Sequence, residues 1–176
     1  MFIARRPQIK TIGRRFFAID VYTHGSCLNN GQAFARGGIG IYFPNGEHPS
    51  LTLTYPTKNL LTPPTTKRCE LLAVRYSLMI HWLCFRNEAC TIHTSSDYVI
   101  KSLTSYSDEW IKNGWKKTNG EDVKNQDILK PTHILFSKNG NVHFHLVKTH
   151  KGLLDKHSLN KNIAFAFARK GLGYKS

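Results

Sequence analysis

His24 and Glu70 are the side chains of this chain best placed to do acid–base or metal chemistry. His24 falls in Val21-Tyr22-Thr23-His24-Gly25-Ser26-Cys27, where a strand should close, and Glu70 falls in Arg68-Cys69-Glu70-Leu71, at the head of an apolar periodic stretch. A third polar group, Thr94-Ser95-Ser96-Asp97, follows a short apolar run. Hard divalent ions need a dense set of anionic oxygens, and acids are scarce: 11 Asp and Glu stand against 25 Lys and Arg. Imidazole suits Zn, Cu, Fe or Ni better than Mg²⁺. None of the four cysteines, Cys27, Cys69, Cys84 and Cys90, has zinc spacing, so free buried thiols of a reducing compartment are expected.

The elements that must position these residues start with strands. Phe16–Thr23 is apolar and β-branched, Gly37–Phe43 follows a glycine-rich turn, and Leu51–Tyr55 alternates. Pro44-Asn45-Gly46 makes a turn between the last two, which predicts an antiparallel meander. Thr65–Phe85 carries Leu71, Leu72, Val74, Leu78 and Trp82 at helical steps. Thr91–Thr94 reads as a strand, and Ser96 caps a helix, with Asp97 in its first turn, that runs to about Asn113. A basic loop, Gly114–Asp122, precedes a helix over Asn125–Lys138 that should break near Pro131. Val142–Val147 reads as the fifth strand, and Ser158–Lys170 as a last helix ended by Gly171. The order predicts an α/β fold with a five-stranded mixed sheet, three antiparallel strands then two more, flanked by helices.

The chain has 176 residues, which suits one domain, and a formal net charge of +14. That charge points to a polyanionic partner. No apolar run approaches a membrane span and no basic amphipathic helix stands out, so nucleic acid is favoured over a membrane. Residues 1–15 form a basic arm with Arg5, Arg6, Lys10, Arg14 and Arg15. An organellar presequence is the competing reading, weakened by Pro7 and Gly13. Residues 16–176 form the domain.

Several motifs, taken together, carry a resemblance. They are Tyr22-Thr23-His24-Gly25-Ser26-Cys27, Gly37-Gly38-Ile39-Gly40-Ile41-Tyr42, Arg68-Cys69-Glu70-Leu71, Thr94-Ser95-Ser96-Asp97-Tyr98-Val99-Ile100, Trp110-Ile111-Lys112-Asn113-Gly114-Trp115-Lys116, His150-Lys151-Gly152 and Ala166-Phe167-Ala168-Arg169-Lys170-Gly171. In order and spacing they resemble the cellular ribonuclease H family over roughly residues 17–171. The resemblance implies a ribonuclease H-like fold and a site of four carboxylates around two Mg²⁺ ions. The four positions fall at His24, Glu70, Ser95 and Phe165, so three carboxylates are missing. The resemblance thus sets His24 beside Glu70, with a His24⁺–Glu70⁻ neutralising pair as the simpler reading and a zinc site as the sharper one. Asp97 and Asp155 are not expected to compensate, nor is Asp20, about 13 Å from His24 along the strand.

The resemblance also implies a nucleic-acid-binding face. Cys27 and Asn30 match turn contacts to the minor groove of an RNA/DNA hybrid, and Thr66-Lys67 replaces the family's Asn-Gln, so Lys67 offers a point charge. Thr65 and Asn125 match two residues of a phosphate pocket whose arginine position falls at Pro63. Tyr106 and Trp110 match an aromatic channel, with Thr118 as its hydroxyl contact. Lys112, Lys116 and Lys117 keep the protrusion basic. His24, if exposed and protonated, would add a contact to phosphate.

These residues lead to the expectation of a non-enzyme: an inactive ribonuclease H homologue, without metal or cofactor, that binds RNA or RNA/DNA hybrid. A ribonucleoprotein with protein subunits as partners, such as a mitochondrial ribosome, fits circumstantially, and nuclear and viral-host settings stay open within an intracellular location. A protein-binding scaffold using the former cleft is the alternative, and an atypical metal-dependent nuclease is the third reading.

Overall fold

The computed structural model describes residues 18–56, 62–148 and 155–173. The arm at residues 1–15 and the His150-Lys151-Gly152 motif lie outside the described residues.

Three strands, β1 (Ile19–Leu28), β2 (Arg36–Tyr42) and β3 (Leu51–Thr54), form the expected antiparallel meander. Two more, β4 (Cys90–Thr94) and β5 (Val142–Leu146), add in parallel beside β1, giving the order β3-β2-β1-β4-β5. His24 does not close its strand. β1 runs on to Leu28 against β2, with His24 opposite Gly40, while the parallel pairing with β4 stops at Thr23–Thr94. His24 and Ser95 therefore stand just past the carboxyl end of the parallel pair, the rim where open α/β sheets place their ligands.

Strand alternation divides β1 between two faces. Val21 and Gly25 face α1 (Thr66–Ile80), where the main core of Ile39, Ile41, Leu71, Val74, Leu78 and Ile92 is buried. Tyr22 and His24 face α5 (Lys156–Gly171), against Ala164 and Phe165. Thr65 caps α1, its hydroxyl accepting from the Arg68 amide at 3.2 Å. The helix then passes into a wide π-type turn over His81–Phe85, which swings Trp82, Leu83 and Cys84 outwards. Cys84 is thus exposed rather than a core residue. All four cysteines are free, and burial pushes the Cys69 and Cys90 thiols up to about 12.

The stretch expected as one helix from Ser96 to Asn113 is two, α2 (Asp97–Leu103) and α3 (Ser107–Lys112). The helix α4 (Gln126–Lys138) runs straight through Pro131. Proline there forfeits one amide bond, back to Asp127 in the first turn, while Ile128, Leu129 and Thr132 hold the helix by their burial. Gly171 is the last residue of α5, but it does not supply the left-handed position; Gly173, at φ +88°, does. Gly171 belongs to the packing, since a Cβ there would stand 2.3 Å from the Leu53 carbonyl oxygen.

Candidate functional site

The structure brings the four positions of the former carboxylate site together. The His24 and Phe165 rings meet edge to face with centroids 5.0 Å apart. Gly25, beside His24, lies so close to α1 that a Cβ would stand 2.2 Å from the Glu70 amide nitrogen. Ser96, next to Ser95, donates its hydroxyl to Glu70 Oε2 at 2.6 Å. Burial raises the Glu70 carboxyl above its ordinary value, against the opposing pull of Ser96 and Lys67.

Two expectations for His24 are corrected. It is not an exposed cation: burial, reinforced by Lys161, lowers its pKa from 6.5 to about 4. Nor does it pair with Glu70, whose hydrogen-bond partner is Ser96; the buried His24 Nδ1 has no hydrogen-bond partner. The unfolded chain therefore takes up this proton before the folded one does. Stability from His24 is fully present above about pH 6.5, is lost as pH falls towards about 4, and levels off below it. The loss is at most about 3 kcal/mol. Urea unfolding of the wild type and His24→Leu across this window should show the wild type losing more stability; parallel curves would refute the burial argument.

The nearby acids are occupied elsewhere. Asp20 lies 2.7 Å from His93 Nε2, Asp97 pairs with Lys101 at 2.7 Å, and Asp155 is the N-cap of α5, accepting from the Ser158 amide at 2.9 Å. The four positions do not fit a pair of divalent cations. Glu70 is their sole carboxylate, it is largely buried on Ser96, and the Phe165 ring stands against His24.

The expected binding residues form a continuous edge in part. Asn30 Oδ1 accepts from the Thr66 amide at 3.3 Å, and the Cys27 thiol donates to the Pro64 carbonyl at 3.4 Å. The β1–β2 turn is thereby tied to the start of α1, and Lys67 projects there, its Nζ 4.9 Å from the centre of the Tyr98 ring. Asn125, in the left-handed region at φ +63°, donates to Tyr98 Oη at 3.0 Å and accepts from Arg68 Nη1 at 3.2 Å. Arg68 thus links Thr65 and Asn125. It brings no free cation to the pocket, because Asp127 engages its guanidinium through both oxygens.

The protrusion holds a row of aromatics, Tyr106–Trp110 at 5.5 Å and Trp110–Trp115 at 6.2 Å between centroids. Tyr106 is exposed, while Trp110 and Trp115 are half-buried against the core. Lys116 and Lys117 are partly offset by Asp122 and Glu121, at 3.4 and 2.7 Å. Lys112 and Thr118 are exposed.

Sequence reasoning missed a second polar group on the α5 face, where His93, His145 and His157 converge. Its signal was weak, because nothing in the sequence gives the register that sets His93 beside His145.

A five-stranded mixed sheet of this order, with helices on both faces and the aligned positions gathered at one rim, defines a ribonuclease H-like domain. The RNase H family model matches residues 18–169, and the chain belongs to that family. It is 32% identical over 132 residues to a probable ribonuclease H of Acanthamoeba polyphaga mimivirus, covering 74% of this chain and 56% of that protein. It is 32% identical over 140 residues to ribonuclease HI of Pasteurella multocida, covering 78% of this chain and 81% of that one. Among solved structures, the prototype foamy virus RNase H domain superposes with a TM-score of 0.68 at 20% identity, over 88% of this chain and 94% of that one. Against several other relatives the chain spans only about a third to a half of their length. Among the described residues no helix is long and apolar enough to cross a membrane.

These relatives overturn the expectation of a non-enzyme. Proteins as similar as 32% carry the name ribonuclease H, so the missing carboxylates at three aligned positions do not establish an inactive homologue. The expected mitochondrial and ribonucleoprotein setting gains no support from their names.

Proposed function

We propose that this domain binds RNA/DNA hybrid duplexes and hydrolyses their RNA strand. The reaction comes from the relatives, and the duplex from the family resemblance of the binding edge. The observation that carries the reading is the tying of the β1–β2 turn to the head of α1. Through it Cys27, Asn30, Thr65 and Lys67 form one edge, continuous by way of Arg68 with Asn125. Such an edge reads shape and backbone rather than sequence, which suits a duplex with A-like geometry. The charge of +14 supplies the attraction, and affinity should fall steeply with salt.

Glu70 is the acid–base group we assign to the reaction. Its burial shifts the carboxyl upwards, the direction that suits a general acid or base near neutral pH.

The test is a labelled hybrid incubated with the protein in Mg²⁺ or Mn²⁺, beside binding measured against hybrid, double-stranded RNA and single strands over a salt series. We expect RNA-strand cleavage that Glu70→Gln reduces by about 100-fold or more, with hybrid affinity retained. Binding without cleavage would overturn the hydrolytic half of the reading. Absence of binding at low salt, or a flat salt response, would overturn both halves.

A further inference from the structure

Three histidines from three elements meet on the α5 face of the sheet. Parallel pairing sets His93 of β4 opposite His145 of β5, and Tyr22 of β1 opposite His93 on its other side. His157 enters from the first turn of α5, held there by the Asp155 cap. The three rings form a near-equilateral triangle, with centroids 5.0, 5.0 and 4.9 Å apart. One ring nitrogen from each lies within 4.8 Å of the others, and the Nδ1 atoms of His93 and His145 face each other at 2.9 Å.

Groups behind two of the rings fix which nitrogen faces the others. Asp20 Oδ1 lies 2.7 Å from His93 Nε2, so the carboxylate holds the proton on Nε2 and leaves the Nδ1 lone pair facing the other rings. Tyr22 Oη lies 2.8 Å from His157 Nδ1, which leaves Nε2 of that ring as its remaining donor atom. A carboxylate or hydroxyl behind a ligating imidazole is the usual outer shell of a histidine metal site. Tyr22 also stacks on His93, at 4.3 Å and 8° between planes, which fixes that ring's orientation.

We propose that His93, His145 and His157 form a transition-metal site, of which Zn²⁺ is the expected occupant. Three neutral imidazoles select borderline metals such as Zn²⁺, Co²⁺, Ni²⁺ or Cu²⁺ over Mg²⁺ and Ca²⁺. Zn–N bonds of about 2.0–2.1 Å put tetrahedral ligand atoms roughly 3.3 Å apart. The facing nitrogens of His93 and His145 need to open only slightly, and the wider separations close by ring rotation, since His145 is exposed and His157 half-buried. A cavity of about 320 Å³, lined by His145, Val147, Lys148, Asp155 and His157 among others, adjoins the triangle. Water can therefore reach the fourth coordination position. Both Asp155 oxygens are already engaged by Ser158, so that carboxylate does not complete the set. The site is separate from the former carboxylate cluster and pins the start of α5 to β4 and β5.

The test is titration of EDTA-dialysed protein with Zn²⁺ by calorimetry and with Co²⁺ by visible absorption, beside Mg²⁺ as a control. We expect one equivalent of Zn²⁺ bound at micromolar concentration or tighter, nitrogen-ligand Co²⁺ bands without thiolate charge transfer, and a thermal midpoint that rises with Zn²⁺ but not with Mg²⁺. His145→Gln and His157→Gln should each weaken binding by about 10-fold or more, and Asp20→Asn by about 10–100-fold. Both histidines are at least partly exposed, so the variants should keep the metal-free far-UV spectrum and thermal midpoint of the wild type. No stoichiometric Zn²⁺ binding by the wild type would overturn the proposal. So would binding that survives in the His145→Gln/His157→Gln double variant, or Co²⁺ bands that report thiolate.

Discussion

Gly40→Ala is expected to destabilise the domain by at least about 3 kcal/mol, at or beyond the upper end of overpacking costs. A Cβ at Gly40 would stand 2.0 Å from the Ala164 carbonyl oxygen and 2.6 Å from the Ala168 amide nitrogen. At Gly38 it would stand 2.0 Å from the Ala168 carbonyl oxygen. The added carbon meets backbone atoms of α5 in each case, so no side chain can swing aside to relieve these contacts. The helix must lift off β2 or the strand must bend, and either movement separates His24 from Phe165. Gly140→Ala is the control, because nothing lies within 4 Å of the added carbon and its φ is ordinary; it should change stability by under about 0.5 kcal/mol. Urea midpoints and m-values for the two variants make the comparison. Equal small losses would show that α5 does not rest on the glycines.

Arg68→Met is expected to cost about 3–5 kcal/mol, the range for removing one member of a buried ion pair. Arg68 is 2% exposed, and each of its three nitrogens donates at least one hydrogen bond. Nε donates to Tyr55 Oη at 2.6 Å, Nη1 donates to Asn125 and Asp127, and Nη2 donates to the second Asp127 oxygen. Those hydrogen bonds hold the Asp127 carboxyl below the usual carboxylate range. Asp127 itself is 43% exposed, so part of its charge can be re-solvated, which favours the lower end of the range. Lysine should rescue little, because a point charge cannot serve the four acceptors that the guanidinium fork reaches. Arg68→Met/Asp127→Asn should recover part of the loss, since it also removes the stranded carboxylate. Hybrid affinity should fall with Arg68→Met as well, because this side chain holds Asn125 beside the head of α1. A loss under about 1 kcal/mol in urea unfolding would refute the role assigned to Arg68.

Much of this architecture was legible in the residues. Alternation, the Pro44-Asn45-Gly46 turn and the apolar spacing of Leu71 to Leu78 report local periodicity, and five strands and the main helices follow from it. What failed depended on contacts distant in sequence. Pro131 reads as a break, yet the buried face of α4 carries the helix past it. Gly171 reads as a stop because glycine usually supplies left-handed backbone, but here its missing side chain makes room for β3. Trp82 fits a helical stripe and Cys84 a buried thiol until the π-type turn rotates them out. In the cleft, Phe165 could be aligned by counting back from the last motif, and its contact with His24 follows. The desolvation of His24 could not be read, because it depends on how α5 covers the strand. The histidine triangle was invisible for the same reason: it exists only once the β4–β5 register is set.

The seating of α5 on Gly38 and Gly40 has a mechanical consequence. Four helical residues advance about 6.0 Å, and two strand residues advance about 6.8 Å. The two repeats are nearly commensurate, so Ala164 and Ala168 present successive carbonyls to successive glycines like teeth of one pitch. A shift of one residue would set side chains rather than carbonyls against the groove and jam it. α5 is thus indexed to the sheet, and it carries His157 and Phe165 as two marks about 12 Å apart on one ruler. What seizes the helix at the histidine end fixes the position of the phenylalanine at the other.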